Sequence, residues 1–389
     1  MISVIKIGGP VTWGGNLPNG EVSYPSRIGQ ITNNKVTNMG VRASDAYYPS
    51  LCIESMLGSG VVEYDVILLE YSNTNPMQHL SSVTAEEEHL FTKTEIRGLR
   101  MLVKRLQYRF PNAIIIYVHL YSLRHVIKDS HGHLADEHDE PPPDFSWSWA
   151  YPHKQIYRPP LDVKSLMKSV GGYVYSFPVP DTIKKAFSLF QPPTYESLSA
   201  RGHRLVGDAL AEILTKKAKF DENNVKHNEG IEGTWGWGDQ CLSWLGMGGT
   251  IPIEFGGGQK RDMGNFQWSI EFVYIEGAAD GGWIKVINSK EVATPLYFTY
   301  MIGGSPDAST IVSVNDMTTE LSIKARTSQD KFQTTDVGWV APGTTVVSIK
   351  PGPGSVLQLI GISLFGFYQH KELPLMSMHN TILDENEDK

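Results

Sequence analysis

Cysteine is nearly absent from this chain of 389 residues: only Cys52 and Cys241 occur, one in each half. Two thiols exclude the dense disulfide framework of a small secreted scaffold, and they fit two isolated thiols in a reducing compartment. Positive charge is not in excess either. Lys and Arg number 34 against 42 Asp and Glu, a net charge of −8, so no basic face is expected for nucleic acid. Long apolar runs are missing as well, and no stretch reaches the ~18–20 residues that span a bilayer. Met1 leads almost directly into an apolar segment, without the basic and then apolar pattern of a leader. These absences point to a cytoplasmic protein with no membrane span. Hydrophobic content of 41% and charged content of 20% are ordinary for a globular protein, and the length favours two domains.

The first half alternates apolar strands with amphipathic segments. Strands are expected at Ile2–Ile7, Val36–Asn38, Val66–Glu70, Ala113–His119 and Tyr173–Phe177. Helices are expected at Asp45–Leu57, Glu86–Arg109, Val163–Val170, Asp181–Phe190 and Ser199–Lys216. Such alternation predicts an α/β fold, a parallel sheet with helices on both faces, over residues 1–218. A polar insertion at about 125–158 interrupts it, and 219–232 reads as a linker. From 233 to 372 short strand-like runs recur between Gly, Pro, Asn and Asp turns: Phe266–Ile275, Trp283–Ile287, Pro295–Met301, Thr310–Val314, Leu321–Arg326, Thr344–Ile349 and Val356–Phe367. No helix interrupts them, which predicts an all-β sandwich of jelly-roll type, followed by a polar tail at 373–389.

The first apolar run breaks into Gly8, Gly9, Pro10, Val11, Thr12, Trp13 and Gly14. This resembles the first block of the SGNH (GDSL-type) hydrolases, Gly-Asp/Gly-Ser-x-Thr-x-Gly, with Pro10 in the serine slot. Four further stretches resemble the family, one of them Ala113–Ser122, which is similar to its following core strand. Asn38, Gly40 and Ala43 follow its Asn-x-Gly-x-x-Gly block, with Ala43 where a glycine amide lines the oxyanion hole. Glu70-Tyr71-Ser72-Asn73-Thr74-Asn75 follows the third block, with Thr74 in place of the oxyanion-binding Asn and amides beside it on Asn73 and Asn75. Ser199 to Asp208 resembles the last block, in which Thr194 and Ser197 take the places of the catalytic Asp and His, and His203 fills the second, non-catalytic histidine position. The β-rich second half, opening with Trp235 and Trp237, is similar to modules that follow the hydrolase domain in SGNH-like proteins of algae, oomycetes and large algal viruses.

Acyl transfer needs an activated hydroxyl, a base and oxyanion donors. Proline has neither hydroxyl nor N–H, and Ser197 and Thr194 cannot replace an imidazole held by a carboxylate. Losing a triad commonly costs ~10⁴- to 10⁶-fold in rate. The resemblance therefore implies a catalytically inactive SGNH-like protein, acting in binding or in an assembly such as a virion, with glycan or protein partners and no cofactor. The alternative is an esterase or deacetylase on acylated polysaccharide with a rewired site, using Thr12 and His203.

Each candidate has a plain structural counterpart. Thr12 could attack a carbonyl or simply bond within its turn. His203 could act as a base or pack at the start of the last helix. His131, His133 and His138 have spacings able to hold a metal, yet such polar loops are usually solvated, so no metal is expected. Trp147, Trp149 and Tyr151 alternate along the insertion as a stacking strip or an anchor. Trp235 and Trp237 are either a glycan platform or sandwich core.

Overall fold

In the computed structural model, the chain is described at residues 2–14, 17–40, 45–57, 63–71, 93–120, 159–177, 188–191, 197–217, 240–243, 254–262, 271–276, 281–302, 309–322, 331–353 and 355–365. Its first half runs β1 (Ser3–Gly8), α1 (Pro10–Trp13), α2 (Tyr24–Thr32), β2 (Lys35–Gly40), α3 (Tyr47–Leu57), β3 (Val66–Glu70), α4 (Lys93–Arg109), β4 (Ile114–His119), α5 (Leu161–Ser169), β5 (Tyr173–Ser176) and α6 (Ala200–Lys217). The five strands form one parallel sheet in the order β2-β1-β3-β4-β5, the doubly wound arrangement the apolar runs predict. Side chains alternate between its faces. Ile5, Ile7, Ile67, Leu69, Ile115 and Tyr117 pack with Leu51, Leu99 and Leu102 of α3 and α4. Val4, Val66, Leu68, Ile116 and Val118 meet Tyr24, Ile28, Val206 and Leu210 of α2 and α6.

Helix α2 is not among the expected elements, because Pro25 and Gly29 read as punctuation. Pro25 instead sits at the helix start, where its missing N–H has no cost, and Gly29 lies against the chain around β2. The helix expected at 181–190 lies outside the described residues over 181–187. At 188–190 it is replaced by a turn and a bridge between Phe190 and Leu198.

The second half holds β6 (Gln240–Ser243), β7 (Glu254–Gly256), β8 (Gly258–Asp262), β9 (Glu271–Glu276), β10 (Gly282–Asn288), β11 (Thr294–Ile302), β12 (Ser309–Val314), β13 (Met317–Ser322), β14 (Lys331–Val340), β15 (Gly343–Pro351) and β16 (Val356–Leu364). They pair antiparallel in two sheets, β13-β12-β15-β10-β7 and β14-β11-β16-β9-β8, with β6 joined to β16. Ile284, Val312 and Val347 of the first sheet interlock with Phe298, Leu357 and Ile362 of the second, forming the sandwich core. The strand expected at Leu321–Arg326 begins earlier, at Met317, because a turn at Asn315 (φ 53) pairs β13 directly with β12; residues 323–326 lie outside the described residues.

At β11 and β16 the second sheet is buried on both faces. Tyr297, Met301, Phe332, Ile360 and Phe365 turn away from the sandwich core and join the α3–α4 core of the first half. A bulge makes this possible. The register of β11 against β16 shifts between Thr299 and Tyr300, leaving Ile360 as the extra residue. Leu359 and Ile362 then both face the sandwich, while Ile360 faces the helices. Helix α4 fits closely here because Gly98 abuts the Tyr47 backbone, where a Cβ would come within 2.8 Å. From α4, Arg105 Nη1 donates to the carbonyls of Ser50 and Leu51 at 2.6 and 3.0 Å, and its guanidinium lies 5.1 Å from the centre of the Phe365 ring.

The same packing corrects the reading of the cysteines as isolated thiols. Cys52 of α3 and Cys241 of β6 are disulfide-bonded, with Cα atoms 5.3 Å apart across 189 residues, and Ser363 Oγ lies 3.2 and 3.4 Å from the two sulfurs. Sequence separation carries no information about such a contact; the packing of α3 on β6 creates it.

Candidate functional site

The site suggested by the first block lies at the carboxyl ends of β1, β2 and β3. Gly8 ends β1, Gly9 N donates to the Glu70 carbonyl at 3.0 Å, α1 starts at Pro10, and Gly14 closes the loop at φ 81. The strand–loop–helix path thus survives with proline as the first helical residue, where its fixed φ and missing donor are compatible with the helix. Gly8 must be glycine, since a Cβ there would lie 2.2 Å from Thr12 Oγ1 and 2.5 Å from the Glu70 carbonyl.

Thr12 is fully buried. Its hydroxyl donates to Glu70 Oε2 at 3.1 Å and shares a second hydrogen bond with the Tyr24 hydroxyl, also at 3.1 Å. Its carbonyl accepts from Asn38 Nδ2 at 3.0 Å, while Asn38 Oδ1 accepts from Gly40 N at 3.0 Å. The threonine therefore bonds across to β3 and α2 rather than within its own turn.

Beneath this loop lies a charge that the sequence reading passed over. Lys6, in the middle of β1, is fully buried on the same face as Glu70, and its Nζ sits 5.0 Å from the centre of the Tyr24 ring. That ammonium has no hydrogen-bond partner among the described residues. Burial pulls its pKa down to about 7, with the Glu70 carboxylate opposing the fall. Burial, and next the Glu70 charge, raise the Tyr24 phenol well above its ordinary value. A lysine inside an apolar parallel-strand run was the available signal, because charged residues seldom occupy such positions without a role or a partner.

His203 stands on the other side of Tyr24. Its Nδ1 accepts from the Tyr24 backbone N–H at 3.3 Å, and the two rings stack with centroids 5.8 Å apart. Nε2 is buried with no hydrogen-bond partner among the described residues. Burial lowers the imidazole pKa to about 4, so the ring is neutral at neutral pH. It anchors the start of α2 to α6, which the Arg27–Asp208 ion pair at 2.8 Å reinforces. Ser197 accepts Gln191 N on its carbonyl at 2.9 Å, and Ser199 Oγ accepts from Gly202 N at 3.2 Å at the head of α6. Thr12 and His203 are thus brought to the same tyrosine, on its hydroxyl and its backbone amide respectively.

The other named residues lie outside the described residues: Ala43, Asn73, Thr74, Asn75 and Thr194 of the block positions, the histidines His131, His133 and His138, and the aromatics Trp147, Trp149, Tyr151, Trp235 and Trp237. Among the described residues no group of three or more His, Cys, Asp or Glu is placed to hold a metal, and no helix is long and apolar enough to cross a membrane.

The strand order and the attached β-sandwich define the class: a doubly wound α/β domain followed by an all-β region. The whole arrangement is similar to that of a two-domain esterase active on acetylated mannans, which aligns over 95% of this chain and 92% of its own, at a TM-score of 0.55 and 12% identity. A structure of such an esterase co-crystallised with mannopentaose aligns over the same shares at a TM-score of 0.54. A catalytic mutant of an acetylxylan esterase from Geobacillus stearothermophilus covers 54% of this chain and 93% of its own, at 14% identity and a TM-score of 0.32. At 12% identity the likeness to the two-domain esterase establishes the shared fold. No protein-family model and no curated protein matches the chain.

Proposed function

We propose that this protein is a non-hydrolytic, polysaccharide-binding member of the SGNH-type esterase fold. One observation carries the reading: α1 begins at Pro10, in the slot where the fold's nucleophile would stand, and the neighbouring hydroxyl of Thr12 is fully buried and bonded to Glu70 and Tyr24. A nucleophile must reach its substrate and pass its proton to a base. Thr12, fully buried beneath the loop, does not reach a substrate although its hydroxyl donates to Glu70, and His203 Nδ1 is already engaged by the Tyr24 amide. The two-domain esterase with the same overall fold acts on acetylated mannans, which makes acylated plant-type polysaccharide the first ligand class to test. Trp147, Trp149, Tyr151, Trp235 and Trp237 are proposed as binding aromatics.

The test is ester turnover on p-nitrophenyl acetate and acetate release from acetylated glucomannan, for the natural chain, Thr12→Ala and Pro10→Ser. All three are expected at background. Pro10→Ser should fold and remain inactive, because Ser197 supplies no base. Turnover by the natural chain that Thr12→Ala abolishes would establish the rewired esterase instead.

A second reading, a structural component of an assembly, is favoured by the core shared between the α/β domain and the sandwich and by the Cys52–Cys241 bridge, which make a rigid block. A stable oligomer by native mass that binds no polysaccharide would replace the first reading with this one.

A further inference from the structure

The outer face of the β13-β12-β15-β10-β7 sheet carries a feature that neither the fold nor the nucleophile loop accounts for. Along β10 the side chains alternate: Ile284 and Val286 enter the sandwich core, while Trp283 and Ile287 face outward. Trp283 is 41% exposed although tryptophan is among the costliest side chains to leave in water. Its ring is nonetheless seated. Trp283 pairs with Gly256 of β7, and a Cβ on that glycine would meet the indole at 2.3 Å from Nε1 and 2.6 Å from Cε2. The indole therefore lies against bare backbone at the position where any other residue would push it away, and its remaining surface faces solvent.

The registers continue this row across the sheet. Trp283 is opposite Ser348 of β15, Ser348 is opposite Ser313 of β12, and Ser313 is opposite Thr318 of β13, with the last two hydroxyls 3.4 Å apart. A seated aromatic ring is thus followed by three hydroxyl side chains, one on each successive strand at about 4.8 Å intervals. The side chains two residues to either side are larger: Val346 on one flank, Ile311 and Lys350 on the other, all exposed. The row is a shallow trough perpendicular to the strands. Of the charges beside the row, Lys285 next to the ring donates to Glu254 at 2.9 Å, while Lys350 and Glu320 stand exposed on the other flank.

We infer that this trough is a binding site for a polysaccharide chain, with Trp283 stacking on one sugar ring and Ser348, Ser313 and Thr318 meeting the hydroxyls of the units beyond. An uncharged, hydroxyl-rich, flat-faced ligand matches what the trough offers: one apolar plane, a line of small donors and acceptors, and a paired charge at its side. The strand spacing is close to the length of one sugar unit in an extended chain. A protein partner would instead engage Val346 and Ile311 and leave the line of hydroxyls between them unsatisfied. The inference rests on the polysaccharide-binding reading above and assigns it a surface on the sandwich, separate from the nucleophile loop.

Affinity electrophoresis in gels containing acetylated glucomannan or xylan tests it, with the natural chain, Trp283→Ala and Gly256→Val. Retardation of the natural chain is expected, with Trp283→Ala binding on the order of tenfold more weakly. Gly256→Val keeps the tryptophan but displaces its ring, and the same loss is expected from it. Full retardation of Trp283→Ala overturns the trough while leaving the polysaccharide-binding reading intact. No retardation of the natural chain on either polysaccharide overturns both. A solution dimer of the natural chain that Val346→Asp converts to monomer makes this face a protein contact and also overturns the trough.

Discussion

Replacing Lys6 by Met makes the buried amine measurable. In the unfolded chain the lysine holds its proton to 10.5; in the fold, burial outweighs the attraction of Glu70 and the proton is released at about 7. Between these values the unfolded chain binds more protons, so the stability of the natural protein rises with pH over that window and is flat below it. At about 1.36 kcal/mol per pH unit, the rise between pH 7 and 9 is ~2 kcal/mol. The groups around Lys6 do not obscure the effect. Tyr24 and Tyr71 titrate well above this range, His203 well below it, and both cysteines are bonded. Lys6→Met keeps a side chain of similar length over the Tyr24 ring and removes the proton, so its stability should lack this rise. Urea unfolding at pH 7, 8 and 9 reads the difference. The midpoint of the natural chain should climb by ~0.7 M more than that of Lys6→Met, at an m-value near 3 kcal/mol/M. Parallel pH profiles for the two proteins would show that Lys6 stays protonated in the fold and would refute the assignment of a desolvated amine.

Other outcomes follow from single contacts. Cys52→Ala with Cys241→Ala opens a covalent link across 189 residues; chain entropy sets its contribution at up to about 5 kcal/mol, read as a lower urea midpoint that reducing agent reproduces in the natural chain. Thr12→Val removes two hydrogen bonds to buried partners and should cost about 1–3 kcal/mol in urea unfolding, with no change in ester turnover. Gly98→Ala forces a methyl group to 2.8 Å from the Tyr47 backbone, and a loss of about 1–3 kcal/mol is expected in the same measurement.

The parallel sheet was legible because its strands are apolar runs with a helix between them, and all five occur within a few residues of the expected places. The same rule hid Lys6, since one charge inside Ile2–Ile7 does not change the average of the run. Strand β14 was not legible at all. Gln333, Thr334, Thr335, Asp336 and Gly338 form no apolar run, yet their backbone pairs with β11, and an extra residue at Val337 breaks the alternation that would have marked the strand. At the site, the loss of the hydroxyl at Pro10 and the start of a helix there both follow from proline's geometry. That Thr12 bonds to Glu70 and Tyr24 does not, because these partners lie 58 and 12 residues away and meet only once the sheet and α2 are assembled. The outward direction of Trp283 was equally hidden: alternation separates it from Ile284 but cannot say which side meets water.

The bulge at Ile360 also bears on how this chain can be taken apart. A sheet that is apolar on both faces does not suit a module standing alone; its outward row, Tyr297, Met301, Phe332 and Phe365, would then be a sticky surface. Excising the sandwich for separate expression should therefore yield an aggregating fragment, and so should excising the α/β half, whose α3 and α4 would lose their cover. For anyone recombining this chain, the heritable unit is the pair, and a graft that keeps the trough on β10 and β15 must bring the helices along.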